Sequence, residues 1–157
     1  MAPKTTLLSL LLAGLVLVGC GRPFEPATPP GFVDMGEERY GDEEYRATTA
    51  DGAVIGIRAF ENDPKGDLAF WSRAVENRLR TMAGYALLET RKVKARDETE
   101  GTLMRMGHDE DDNPHLYVVT VFVTEDYVYV LEAGGKKPEM ERMMPQVEWA
   151  VSNFLPD

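Results

Sequence analysis

The sequence predicts one α+β domain, in which an antiparallel β-sheet packs against two main helices. Two apolar stripes with helical spacing, over residues 68–82 and 138–154, predict the helices. Apolar runs joined by short polar turns predict the strands. Because these connections are short, they favour antiparallel pairing over parallel units, which need long crossovers.

The first twenty residues have the anatomy of a secretory signal peptide. Lys4 supplies a positive charge, and residues 7–18 form an apolar run too short for an ordinary membrane-spanning helix. The run ends in Leu17-Val18-Gly19-Cys20, which has the pattern of a lipobox. This region resembles the signal peptides of bacterial lipoproteins. The resemblance implies that residues 1–19 are removed, that the Cys20 thiol receives diacylglycerol, and that a fatty acid such as palmitate acylates the new amino terminus.

Lipidation at Cys20 would anchor the protein in a membrane of the cell envelope. Each buried methylene contributes about 0.8 kcal/mol, so two or more chains give stable anchoring. Gly21 follows Cys20, and by analogy with enterobacterial sorting the absence of Asp there favours the periplasmic face of the outer membrane over the inner membrane. The alternatives are an ordinary secreted protein with a chance cysteine, or a short amphipathic anchor.

Residues 20–44 are predicted to be the lipidated Cys20 followed by a tether rich in proline and acidic residues. Four prolines between Arg22 and Gly31 favour an extended chain with few buried contacts. Such a segment would hold the domain on the order of 20–30 Å from the bilayer, at about 3 Å per residue. The folded domain is predicted to span residues 45–157.

The domain is predicted to begin with a hairpin and a helix. Residues 45–50 and 53–60 flank Asp51-Gly52, a pair typical of two-residue hairpin turns. Asp67 is placed to cap a helix that Gly84 would follow. The apolar stripe of this helix consists of Leu68, Trp71, Val75, Leu79 and Met82.

Four further strands and a second helix complete the prediction. The strands span residues 85–96, 102–107, 116–123 and 127–132, and Gly134-Gly135 is expected to end the sheet. The second helix has a core stripe of Met140, Met144, Val147, Val151 and Phe154. Trp149 lies half a turn from Met140 around the helix axis and is therefore predicted to point away from the core.

This order of elements resembles the PsbP-like α-β-α sandwich, a fold that also occurs in small bacterial lipoproteins. The resemblance covers roughly residues 45–155 and rests on the strand–helix–strand–helix order, with local features such as Asp51-Gly52 and Gly84-Tyr85. It implies a binding or assembly factor rather than an enzyme, and it supplies no active-site residues.

The composition limits the classes of partner. Residues 20–157, 138 in number, contain 16 Lys and Arg against 27 Asp and Glu, a formal charge of −11. Such an acidic surface argues against nucleic-acid binding and against broad contact with anionic lipids. With Cys20 lipidated, no thiol remains, so the domain can fold in an oxidising compartment without disulfides.

The sequence offers no catalytic motif, and we predict neither enzymatic activity nor a cofactor. It lacks Gly-x-Ser-x-Gly, His-Glu-x-x-His and a phosphate-binding glycine loop. One acidic stretch, residues 108–115, places Asp109, Asp111 and Asn113 at the first three ligand positions of a calcium loop. Pro114 and Thr120 stand where an EF-hand needs Gly and Glu.

The stretch over 108–115 therefore has two interpretations. It is either a solvated hairpin turn, where Asp and Asn are common for backbone reasons, or a looser metal site. The metal site would use the oxygens of Asp109, Asp111 and Asn113, or a pair formed by His108 and His115 for a transition metal.

Two surface features suit a protein partner. The basic run Arg91, Lys92, Lys94 and Arg96 could meet an acidic partner or the membrane; alternatively, it protects an edge strand against aggregation. Trp149 could be an interface anchor, because tryptophan is enriched at binding hot spots; alternatively, the tether or a loop covers it.

From these features we predict a lipid-anchored envelope protein that acts as a non-catalytic binding or assembly module, with an envelope protein as its partner. The alternative is a periplasmic sensor domain that binds a small ligand or a metal at residues 108–115.

Overall fold

The structure is a computed structural model that describes residues 21–36, 43–110 and 113–157. These ranges contain two helices, α1 (Leu68–Met82) and α2 (Lys137–Asn153). Their nine strands are β1 (Phe24–Glu25), β2 (Val33–Asp34), β3 (Tyr45–Thr48), β4 (Val54–Glu61), β5 (Ala86–Lys94), β6 (Glu100–Glu110), β7 (Asn113–Val123), β8 (Tyr127–Lys136) and β9 (Leu155–Pro156).

Seven of these strands form one antiparallel sheet in the order β2-β3-β4-β8-β7-β6-β5. Strands β1 and β9 form a separate two-stranded ladder. Helix α1 packs on one face of the sheet and α2 on the other. The predicted α+β class, with an antiparallel sheet and two helices, is confirmed.

The larger part of the core lies between the sheet and α2. Met140, Val147, Ala150 and Val151 are the buried residues of this helix. Below its C-terminal end, four aromatic rings pack with centroids 5.5 to 6.2 Å apart, namely those of Phe24, Phe122, Tyr129 and Phe154. Such ring pairs contribute about 0.5–1.5 kcal/mol beyond the burial of their area.

The smaller part of the core lies under α1. Asp67 caps the helix by accepting a hydrogen bond from the Phe70 amide at 2.8 Å, as predicted. The prediction that Met82 belongs to the core stripe is wrong, because this side chain is 79% exposed. The stripe ends at Leu79, and Tyr85 and Leu87 cover the neighbouring part of the cluster instead.

The β3–β4 hairpin has a longer turn than predicted. Thr49 and Ala53 close it through a backbone hydrogen bond of 2.9 Å, which leaves three residues in the loop. Gly52, the last of the three, has φ +87°, a conformation that glycine adopts without strain. A three-residue loop with a left-handed last position is the next most common hairpin geometry after the two-residue turn.

Several strands are longer than their apolar runs. Strands β6 and β7 pair as far as Glu110 and Asn113, and β8 continues through Gly134 and Gly135. The prediction that this glycine pair ends the sheet is therefore wrong. The Tyr117 ring would lie 3.0 Å from a Cβ at Gly134, so the glycine allows a close approach within the sheet.

The predicted tether is not free of the domain. We call residues 22–36 the N-terminal strap. Phe24 is only 3% exposed and packs in the aromatic cluster, and Phe32 is also buried. The prediction of few buried contacts is wrong because two phenylalanines among the prolines supply apolar area, and fully burying one such side chain contributes about 1.5–3 kcal/mol.

Candidate functional site

The two surface features predicted to suit a partner lie on one groove between β5 and α2. This groove has a volume of about 400 Å³. Trp149, which is 42% exposed, lies on its helix side, and three basic residues lie on its strand side. The groove is lined by Arg91, Lys92, Val93, Lys94, Leu103, Pro145, Glu148, Trp149, Val151 and Ser152.

Strand β5 forms one side of the groove because it is the outermost strand of the sheet. Its neighbour β6 pairs with one edge, which leaves the other edge without a strand among the described residues. Val93 packs against the core beneath α2, and side chains alternate along a strand, so Arg91 faces α2 whereas Lys92 and Lys94 project from the opposite face of β5 at the sheet edge. Basic side chains on such an edge discourage pairing with other chains, which agrees with the protective interpretation of the run.

Most of the basic run is neutralised within the molecule. Arg91 Nη2 lies 2.5 Å from Glu148 Oε1, and Lys94 Nζ lies 2.6 Å from Glu98 Oε2. The hydrogen bond to Glu98 raises the pKa of Lys94. Arg96 pairs with Glu25 of the strap at 2.7 Å, so it belongs to the strap contact and not to the groove. Exposed pairs of this kind contribute only about 0–1 kcal/mol each.

Lys92 differs from its three basic neighbours. It is exposed, and no carboxylate within the described ranges forms an ion pair with it. Trp149 therefore gives the groove an exposed aromatic ring, and Lys92, at the edge of the groove on the face of β5 away from α2, adds a positive charge without an ion pair among the described residues. This arrangement suits recognition of an apolar side chain next to a carboxylate.

The stretch over 108–115 forms the end of the β6–β7 hairpin. Asp109 and Asn113 are exposed strand residues, and Asp111 lies outside the described residues. His108 and His115 stand opposite each other in the register. Their Nδ1 atoms lie 3.4 Å from the Gly84 carbonyl and 2.9 Å from the Asn113 carbonyl, respectively. In residues 21–36, 43–110 and 113–157, no group of three or more His, Cys, Asp or Glu could hold a metal ion.

A buried polar network lies on the α1 face of the sheet and was not predicted. Arg58 Nη2 lies 2.7 Å from Glu132 Oε1, and the Tyr117 hydroxyl donates to the same oxygen. Burial and the nearby Glu132 carboxylate raise the pKa of the Tyr117 hydroxyl far above its usual value. Because Glu132 is only 9% exposed, these two donors satisfy a carboxylate that would otherwise be costly to bury.

The network continues as a row of aromatic rings toward the 108–115 hairpin. The Tyr85 ring lies 5.1 Å from the rings of Tyr117 and His108. The sequence contains no signal for this arrangement, because Arg58, Tyr117 and Glu132 come from three strands and meet only through the register. Because its polar groups contact one another, we interpret the network as structural.

The predicted lipidation site lies outside the described residues, as do all of residues 1–20. Within the described part of the chain, no helix has the length and apolar character needed to cross a bilayer.

Comparison with known proteins shows the fold. No protein-family model and no curated protein matches the sequence. Among solved structures, the chain is similar to LpqN, involved in cell envelope biogenesis of Mycobacterium tuberculosis, with a TM-score of 0.67 and 10% identity over 85% of this chain and 83% of LpqN.

Two further structures have the same architecture. The chain is similar to cyanobacterial PsbP from Synechocystis, with a TM-score of 0.59 and 9% identity over 86% of this chain and 87% of that one. It is also similar to PA94 of Pseudomonas aeruginosa, with a TM-score of 0.54 and 10% identity over 88% of each chain. At these identities the likeness shows the fold alone, and it confirms the expected PsbP-like sandwich.

Proposed function

We propose that this chain is a lipid-anchored protein of the bacterial envelope whose domain is a non-catalytic binding or assembly module. The lipobox at Leu17-Val18-Gly19-Cys20 supports the anchor. The likeness of the fold to LpqN, an envelope biogenesis protein, supports the setting. We place the domain on the periplasmic face of the outer membrane, because Gly21 and not Asp follows Cys20.

The observation that carries the binding role is the position of Trp149 on the groove between β5 and α2. Trp149 is 42% exposed and lines a groove of about 400 Å³, so a partner segment seated in the groove would cover its ring. Tryptophan side chains bury 150–250 Å² and are enriched at interface hot spots, where truncation costs about 2 kcal/mol or more.

The partner that fits this groove is an extended segment of another envelope protein, with a carboxylate next to an apolar side chain. Its carboxylate would pair with Lys92, which lies at the open edge of β5 on the face away from α2 and which the described residues leave without an ion pair. Neighbouring side chains of an extended segment point to opposite faces in the same way. Its apolar side chain would pack on Trp149. An extended segment could also pair with the outer edge of β5, a recurring mode of peptide recognition.

A crosslinking pulldown from bacterial membranes tests this proposal. Trp149→Ala and Lys92→Glu should each reduce recovery of a crosslinked partner at least about tenfold, which corresponds to 1.4 kcal/mol. Lys92→Glu is preferred to a change at Arg91, because Arg91 also holds Glu148 on α2.

The chain offers a matched control for each variant. Met82→Ala removes a more exposed apolar side chain from α1, and Lys137→Glu reverses an exposed charge at the other end of α2. Both controls should retain the partner. Equal loss in the controls, or no partner from a folded and lipidated protein, would argue against the groove as a binding site.

A further inference from the structure

The N-terminal strap connects the predicted lipid anchor to a fixed point on the domain. Phe24 packs within the aromatic cluster. Strand β1 pairs with β9, so that Phe24 lies opposite Pro156 and Glu25 lies opposite Leu155. The Asp157 amide donates to the Pro23 carbonyl at 3.3 Å. Arg22 also contacts the domain, because its guanidinium donates a hydrogen bond of 3.2 Å to the Glu44 carbonyl.

The chain between the anchor and this fixed point is very short. Four residue steps separate Cys20 from Phe24, and a fully extended chain advances at most about 3.6 Å per residue. The two Cα atoms are therefore at most about 14 Å apart, whatever the conformation of the intervening residues. A lipid on Cys20 would bring one end of the domain to the bilayer surface.

The strap also determines which end of the domain this is. Phe24 packs against Phe154, which follows the last residue of α2. The Arg96 amide donates to the Phe154 carbonyl at 2.9 Å, and the Arg96 side chain pairs with Glu25. The C-terminal end of α2, strand β9 and the turn that contains Asp97 thus lie together beside β1.

The opposite end of the domain contains the β3–β4 turn and the start of α2. Gly135 packs against Ala53 and Met140 there. Because α2 has 17 residues and a helix rises 1.5 Å per residue, the two ends lie about 25 Å apart.

We infer that the domain stands on the bilayer with the C-terminal end of α2, strand β9 and the 95–98 turn facing the lipid. The β3–β4 turn then points away from the membrane. This inference rests on the proposed lipidation of Cys20. It places Trp149, four residues before the end of α2, about 6 Å along the helix axis from the membrane-facing end, so the partner would be engaged close to the bilayer.

Single-cysteine labelling tests this orientation. Cys20 is the only cysteine in the sequence, so once it is lipidated an introduced cysteine is the only free thiol. The full chain is purified from membranes, acylation of Cys20 is verified by mass spectrometry, and the protein is reconstituted in phosphatidylcholine vesicles. A fluorophore is attached at Asp97→Cys or at Asp51→Cys, and quenching by a nitroxide on the lipid headgroup is measured.

The label at residue 97 should be quenched roughly three times more strongly than the label at residue 51, because about 25 Å separates the two ends of the domain. Inserting about ten Gly and Ser residues between Gly21 and Arg22 should abolish the difference, because such a linker spans roughly 17 Å and leaves the strap contacts intact.

The possible failures are distinguishable. Equal quenching at both positions, or stronger quenching at residue 51, in an acylated protein overturns the orientation but leaves the anchor in place. A protein without acylation at Cys20 overturns the anchor itself, and with it both this inference and that part of the proposed function.

Discussion

The two faces of the sheet bury their helices to very different extents. On one face, α2 contributes four buried side chains and meets the strap, β9 and a cluster of four aromatic rings. On the other face, Ser72 is the one buried residue of α1 among those described, and the apolar stripe of this helix is only partly covered. The stability of the fold should therefore depend mainly on the α2 face.

This difference also separates two kinds of polar feature. The α1 face contains the closed network of Arg58, Glu132 and Tyr117, whose groups satisfy one another. The α2 side contains the groove, where Trp149 remains exposed to a partner, and Lys92 lies at the strand edge of this groove. Satisfied buried polar groups indicate a structural role, whereas exposed aromatic and unpaired charged groups indicate recognition.

The largest expected effect is at the aromatic cluster on the α2 face. Phe154→Ala should lower the free energy of unfolding by about 3–5 kcal/mol, because Phe154 is fully buried against three other rings. Leu79→Ala on α1, where the side chain is half-buried, should cost only about 1–2 kcal/mol. Urea denaturation measures both, and equal losses would contradict the difference between the faces.

The polar network should give an intermediate effect. Glu132→Gln should cost about 1–3 kcal/mol, since it removes the charge that pairs with the partly exposed Arg58. Tyr117→Phe should cost about 1 kcal/mol. In the double variant the losses should be coupled by at least about 0.5 kcal/mol, because both groups share one oxygen. Simple additivity would show that the hydroxyl and the carboxylate act independently.

The same network should make stability fall in alkaline solution. The pKa of Tyr117 is raised in the folded state above the value of about 10 expected when the chain unfolds. The unfolded chain therefore releases a proton first, and the free energy of unfolding should fall as pH rises through 10, by up to about 1.4 kcal/mol per pH unit. Tyr117→Phe should lose less stability than the natural chain over this range, and identical slopes would assign the effect to other groups.

The helices could be predicted closely from the sequence, whereas the strand ends could not. The spacing of Leu68, Trp71, Val75 and Leu79 and the cap at Asp67 are local signals, and α1 ends where they predict. The ends of β6 and β7 depend on ladder pairing between polar residues such as Glu110 and Asn113. Backbone pairing of this kind leaves no pattern in side-chain hydropathy.

The candidate site could likewise be predicted only where its signals are local in the sequence. The exposure of Trp149 follows from its angle around the helix, and the basic alternation of β5 is visible in the sequence. Trp149 and the basic residues of β5 line one groove only because β5 lies at the sheet edge beside α2. This tertiary arrangement is not visible in the sequence. The contacts between the strap and the domain were not predicted, because prolines dominate the composition of the strap. Phe24 and Phe32 make these contacts.

The smallest effect is expected at the 108–115 hairpin. Adding calcium or zinc should leave the melting temperature unchanged, because Pro114 and Thr120 stand where a calcium loop needs Gly and Glu, and the Nδ1 atoms of His108 and His115 already contact backbone carbonyls. A ligand that binds only the folded state raises stability by about 2.7 kcal/mol at a hundred times its Kd, which a thermal melt would detect. A shift that disappears in Asp109→Asn would instead support the sensor function.

Site-specific photocrosslinking in living cells tests the central claim most directly. A photoreactive aromatic amino acid, which keeps a ring at the position, replaces Trp149 in one strain and Met82 in another, each in the full-length chain. We expect a discrete crosslinked species from position 149 that is absent from position 82 and is lost when Lys92→Glu is added. The same species from both positions, or no species from position 149 in a folded and membrane-bound protein, would contradict a binding site in the groove between β5 and α2.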